Sequence, residues 1–295
     1  MITPQQISNL YRQACEIELQ AFKPGNVSIY ADGHDMTVAD FRLSAEVSAE
    51  ALSNPEYSLG EKIYYAVHAT RVAVGCNTNL GIILLCAPLV QAINNFEEGK
   101  TLRHALSRIL ATTTLDDASW VFQAITLAAP GGLGRSEQQD VNKAPTVNLT
   151  EAMRLACGKD RIALQYVTNY KDIFETALLS YTSALDRWGN HGWASLSVYA
   201  DMLGQIPDSH IERKHGKQYS ELVATRMAQL SLDLVSTDDT EQLMSMLYQL
   251  DEEFKSLGIN PGTTADMTVA TVFTAFLMDL VGESFADRAI TKLSS

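Results

Sequence analysis

Ile82-Ile83-Leu84-Leu85-Cys86-Ala87-Pro88-Leu89-Val90-Gln91-Ala92-Ile93 is the longest apolar run of the chain. A bilayer-spanning helix takes about 20 apolar residues, so this shorter run, interrupted by Pro88 and Gln91, reads as a helix buried in a protein core. Outward from it, apolar residues recur three and four apart, as at Ile7, Leu10, Ala14, Ile17 and Ala21, and alternating runs bounded by hairpin turns are hard to find. The pattern predicts an all-α fold. Helices are expected over 3–22, 37–53, 57–75, 79–96, 101–110, 115–129, 150–156, 159–168, 170–187, 191–204, 217–236, 239–257, 264–281 and 284–292.

The chain has 295 residues, and no stretch reads as a linker, so one helical domain over 1–295 is the simpler organisation. Apolar residues make up 46% and charged ones 19%, which excludes a disordered or fibrous class. A net charge of -13 argues against a nucleic-acid surface, which needs a basic stripe to displace counterions. Cys15, Cys76, Cys86 and Cys157 lack CxxC spacing and a matching His pair, so neither zinc nor a disulfide framework is indicated and a reduced, cytoplasmic setting is expected. The amphipathic N-terminal helix carries acidic residues and does not resemble a signal peptide.

Pro and Gly punctuate six breaks between the helices: Lys23 to Ser28, Asp32 to Met36, Gly75 to Gly81, Pro130 to Gly134, Asp208 to Gly216 and Gly258 to Asp266. Such breaks free backbone N–H groups at the next helix start, where they can point at an anion. Residues 130–149 form the most loop-like segment, suited to a mobile lid or a surface excursion. Gly131-Gly132-Leu133-Gly134 follows no strand and lacks the pattern of a P-loop.

The densest polar cluster is Asp32, His34, Asp35 and Asp40. Hard oxygen ligands suit Mg²⁺, which takes one or two carboxylates and completes its shell with water and phosphate oxygens. Thr37-x-x-Asp40 also fits a capping box, whereas Asp32 and Asp35 have no such local role. Thr263-x-x-Asp266 repeats the capping spacing, within Asn260-Pro261-Gly262-Thr263-Thr264, which offers backbone and hydroxyl donors before a helix. Asn77, Thr78 and Asn79 sit between two apolar helices, where they need backbone, mutual or ligand partners. Asp208, His210, Arg213, Lys214 and His215 form a mixed segment able to meet metal and phosphate, or a solvated loop.

The order of these motifs resembles the triphosphoribosyl-dephospho-CoA synthase family. The resemblance runs from about Glu16 to about Phe273, through Lys23-Pro24-Gly25, Gly33-His34-Asp35-Met36 with Phe41 and Ser44, Asn77-Thr78 with Gly81, the Asp208 segment, and Pro261-Gly262 with Ala265-Asp266. It implies an all-helical enzyme that joins ATP and 3′-dephospho-CoA and releases adenine, leaving the triphosphate on the ribose. Two departures stand out. The Pro-Gly turn continues as Asn26-Val27-Ser28 where the family carries an Asp, and Asn79-Leu80 replaces a His-Lys pair.

Breaking the N-glycosidic bond of ATP builds positive charge on the ribose, so carboxylates near C1′ and a Mg²⁺ ion on the triphosphate are sensible requirements. With the resemblance in place, Asp35 or His34 is expected as the catalytic base. Asp32, Asp35, Asp208 and Asp266 are expected as metal or ribose contacts. Nucleotide and phosphate contacts are expected from Lys23, Gly25, Asn77, Thr78, Asn79, Arg213, Lys214, Asn260, Gly262 and Thr263. The expected partners are ATP and a small acceptor such as dephospho-CoA, without nucleic acid or membrane, and a homo-oligomer stays open. The alternatives are a paralogue acting on another cofactor precursor, as in C1-carrier biosynthesis, and a non-catalytic nucleotide-sensing or scaffold protein.

Overall fold

The structure is a computed structural model, and it describes residues 2–31, 36–131 and 138–283. The regular elements of the described residues are all helices, with no strand among them. In chain order the α-helices are α1 (Pro4–Gln20), α2 (Val38–Ser53), α3 (Leu59–Val74), α4 (Leu80–Asn94), α5 (Leu102–Ala111), α6 (Leu115–Ala128), α7 (Leu149–Ala156) and α8 (Arg161–Thr168). After a π-helical turn (Ile173–Ala177) come α9 (Leu178–Trp188), α10 (His191–Gln205), α11 (Ser209–His215), α12 (Ser220–Ser236), α13 (Thr240–Ser256) and α14 (Gly262–Leu280).

The all-α expectation holds, and the differences are local. The segment after Asp208 reads as a loop in the sequence but forms α11, because Asp208 caps it and its short helix has little apolar periodicity to display. The helix expected over 170–187 contains the π-helical turn. The helix expected over 284–292 lies outside the described residues. So do 132–137 of the expected lid, whose neighbouring residues 138–148 trace turns.

Two helices are apolar on nearly every side and carry the core. In α4, residues 80–90, Ala92 and Ile93 are buried, Pro88 included. α14 is buried from Thr263 to Met278 apart from Asp266 and Phe276. Its threonines fit an apolar interior because the Thr268, Thr271 and Thr274 hydroxyls donate to the carbonyl four residues back. Tyr166 and Tyr170 are likewise buried and donate to the Leu84 and Leu85 carbonyls of α4. α1, α4 and α10 pack around α14, with Tyr11 edge-on to Phe273. A smaller apolar cluster joins Phe22, Tyr199, Leu203, Met227, Leu247, Phe254 and Ile259 and holds the ends of α10 and α13 beside the start of α14.

Candidate functional site

Four of the six breaks meet at the starts of α4 and α14. The turn after α1 is fastened to the 258–262 break: Asn26 Nδ2 donates to Asn260 Oδ1 at 2.8 Å, and the Gly25 N–H donates to Asp251 Oδ1 at 2.9 Å. Gly25 has φ +81°, and a β-carbon there would fall 2.7 Å from the Ile259 carbonyl oxygen, so the turn demands glycine for both conformation and space. Tyr199 closes the corner by donating to the Pro24 carbonyl at 2.9 Å.

Lys23 is a structural residue. Its side chain is 0% exposed, and its ammonium donates to the carbonyls of Glu18 (2.8 Å) and Val27 (2.7 Å) and pairs with the Glu18 carboxylate at 3.1 Å. With its donors spent inside the protein, the expectation that Lys23 meets phosphate is corrected. Gly25 and Asn260 likewise hold the two breaks together.

Asp208 is a brace. Its Oδ1 accepts from the His210 and Ile211 N–H groups as the N-cap of α11, and its Oδ2 accepts from the Thr264 N–H (2.7 Å) and hydroxyl (2.8 Å). A carboxylate engaged at both oxygens by four donors has its acceptor capacity taken up inside the protein. Ser209 and Thr263 add a hydroxyl contact of 3.0 Å across the same junction. Thr263 therefore forms no capping box with Asp266. Asp40, by contrast, forms the expected box with Thr37.

The α3–α4 break is fastened to α2. Thr78 shares a hydrogen bond with the Ser44 hydroxyl, Asn79 Nδ2 donates to Ser48 Oγ at 3.3 Å, and Asn77 Oδ1 accepts from the Leu80 N–H at 3.1 Å. These partners make Asn77, Thr78 and Asn79 supports of the α4 start rather than open ligand groups. The next two N–H groups of α4, at Gly81 and Ile82, have no partner among the described residues.

Asp266 faces this end. Its Oδ2 lies 2.0 Å from where a β-carbon on Gly81 would stand, and no hydrogen bond or ion pair joins it to another described residue. Part of Asp266 reaches solvent, yet burial lifts its carboxyl well above the usual carboxylate range, and the charges of Glu18 and Asp208 push it further. Arg213 opposes the shift. Arg213 is held by Asp160 at 2.6 Å, and its Nε is buried without a partner. Lys214 is exposed, with Nζ 3.4 Å from the Gly258 carbonyl.

Sequence reading assigned no role to Glu18, and named His210 only as part of the mixed segment able to meet metal and phosphate. Glu18 is 4% exposed on the packed face of α1, and burial raises its pKa while Lys23 opposes; an acid in register with Tyr11, Ala14 and Cys15 was the available signal. A water-sized cavity lies beside it, lined by Cys15, Phe41, Asn79 and Ile82. The ring of His210 rests on Gly262. Asp32, His34 and Asp35 lie outside the described residues. Among the described residues no three His, Cys, Asp or Glu side chains gather to hold a metal ion, and no helix is long and apolar enough to cross a membrane.

A larger groove of about 460 Å³ runs between α9, α10 and α12, away from the breaks. Its Asp201 carboxylate already accepts from the Ser180 and Ser231 hydroxyls.

No curated protein matches the chain. Among solved structures, a protein from Archaeoglobus fulgidus named as a candidate triphosphoribosyl-dephospho-CoA synthase shares the fold: TM-score 0.61 and 24% identity over 79% of this chain and 96% of that one. The model of the CitG family, ATP:dephospho-CoA triphosphoribosyl transferase, matches residues 4–285, nearly the whole length, and the chain belongs to that family.

Proposed function

We propose that the protein moves the triphosphoribosyl group of ATP to a hydroxyl of dephospho-CoA and releases adenine. Family membership supplies the reaction class. The observation that carries the reading is the Asp266 carboxyl, unpaired and seated on Gly81 at the open start of α4.

Adenine leaves C1′ with the electron pair of the N-glycosidic bond and needs a proton. A carboxyl whose protonated form is favoured by burial can supply that proton, and its conjugate base then stabilises the positive ribose. Arg213, whose charge acts on Asp266, and its neighbour Lys214, which reaches solvent, are the cations on α11 that suit the triphosphate. Asp35 and His34, expected from the sequence as the base, lie outside the described residues.

Mg²⁺ is expected as the counter-ion of the triphosphate. The described residues do not fit a resident metal site: Asp208 is engaged by four donors, no three His, Cys, Asp or Glu side chains gather, and Asp32 and Asp35 lie outside the described residues. No step is assigned to the ion.

A second reading, a branch serving another acceptor or sensing nucleotide without turnover, is favoured by Asn79 and Leu80. Both are buried where the family carries His-Lys, so the start of α4 presents no cation there. Incubation of the purified protein with ATP, Mg²⁺ and dephospho-CoA, followed by chromatography, decides between them. Free adenine supports the transfer. ADP or AMP instead points to kinase-like or ligase-like chemistry, and no ATP binding by calorimetry leaves a scaffold.

A further inference from the structure

The geometry points to His210 as the group that faces the acceptor and takes its hydroxyl proton, an inference that rests on the transfer reading above. The backbone N–H of His210 is pinned by Asp208 Oδ1 at 2.8 Å. This places the ring against Gly262, with Nδ1 3.0 Å from where a β-carbon on that glycine would stand. The imidazole thus fills the space of a missing side chain at the start of α14. Gly262 and Asp266 are four residues apart on that helix, so they share one face and are separated by about 6 Å along the axis.

Neither ring nitrogen of His210 has a hydrogen-bond partner among the described residues, although the residue is half-buried. Its neighbour His215 contrasts with it, donating from Nε2 to the Gly258 carbonyl at 3.0 Å as a structural histidine does. The charged groups around His210 on α11 are Asp208, Arg213, Lys214 and His215. From α14 and the preceding break it meets Gly262, with Asp266 one turn on. Burial lowers its pKa; Asp208 opposes this, and Arg213, Lys214 and His215 reinforce it. An unpaired carboxyl at Asp266 and an imidazole with no ring partner at His210 thus stand one helical turn apart along α14.

In the transfer step the acceptor oxygen bonds to C1′ as the C1′–N9 bond breaks and its electron pair goes to adenine. The hydroxyl proton passes to His210, giving imidazolium, and the Asp266 proton passes to the departing base. Exchange with solvent then returns both groups to their starting states.

The test compares the parent protein with His210→Gln, His210→Ala, His34→Gln and Asp35→Asn in adenine release, as pH profiles of kcat/KM. His210→Gln should melt near the parent temperature, keep its KM for ATP and lose about a hundredfold or more in kcat, with loss of the acidic limb of the profile. Added imidazole should restore part of the turnover of His210→Ala. A His210→Gln protein within about threefold of the parent rate overturns the assignment. So does loss of the acidic limb in His34→Gln or Asp35→Asn but not in His210→Gln.

If the parent releases no adenine, the transfer reading fails, and ¹⁵N-histidine spectra decide the rest. A His210 ring resonance that moves on addition of ATP, Mg²⁺ and dephospho-CoA supports the residue as ligand-facing; one that stays fixed overturns that as well.

Discussion

Oδ2 of Asp266 occupies the space a side chain at position 81 would need: a β-carbon on Gly81 would stand 2.0 Å from it. The two residues start different helices far apart in sequence, and only glycine leaves that part of the α4 backbone open to a carboxyl. The nearest atom of any other residue to that β-carbon position is Ile162 Cδ1, at 2.8 Å.

Gly81→Ala should therefore push the Asp266 carboxyl off the helix start. A displacement of about 1 Å at a reacting group typically costs about a hundredfold in rate. Adenine release should fall by that order while calorimetry still detects ATP, because the added methyl lies against the acid and not against Arg213. Unchanged turnover would separate Asp266 from the chemistry.

Asp266→Asn should lose about a hundredfold or more in rate, since the amide carries no transferable proton. Stability should move the other way. The folded pKa of Asp266 is raised, so its favourable contribution is complete below the ordinary aspartate range and is lost as pH rises toward the folded value. Asp266→Asn lacks that loss. Its melting temperature should equal or exceed that of the parent at pH 8, and the gap should narrow toward pH 4.

Asp208→Asn should be a stability variant. An amide nitrogen cannot accept from Thr264 or from the start of α11, and a buried donor left unmet costs about 1–3 kcal/mol. Urea denaturation should show the loss, whereas the Mg²⁺ dependence of turnover should match the parent. Asp40→Asn, at the exposed entrance of α2, should lower the melting temperature slightly and leave the rate unchanged.

Lys23→Met should be among the most destabilising single changes. It leaves Glu18 buried without its cation, which typically costs about 3–5 kcal/mol. Lowering the pH should return part of the loss, because Glu18, already shifted upward, can then protonate. Glu18→Gln combined with Lys23→Met should recover most of the stability; a double variant as weak as the single one would discard this account.

The helices were legible in the sequence because apolar spacing is a local property, as in α1, and because capping pairs such as Thr37 with Asp40 mark their ends. The breaks were legible as well, and four of them do converge. What local pattern could not separate was which polar residue at a break is used inside the protein. Lys23 and Asp208 are the types a phosphate or metal site would use, yet both are consumed by partners that only the fold supplies: Val27 and Glu18 for one, Thr264 for the other. Asp266 had the spacing of a cap and is not one, because Thr263 turns to Ser209 instead. His210 could be named only as one of a mixed group, since its place depends on a glycine 52 residues away that has no side chain to fill the space.

The hydrogen bond from Asn26 to Asn260 spans 234 residues. A ribosome releases α1 and its turn long before α14, the helix around which α1, α4 and α10 are arranged. The nascent chain must therefore wait with the apolar faces of α1 and α4 uncovered, and binding competence should arise in one late step rather than growing with length. Chains halted before Gly262 should be prey for chaperones and proteases, and splitting the protein into separately made halves should restore function only if the second half brings α14 to the first.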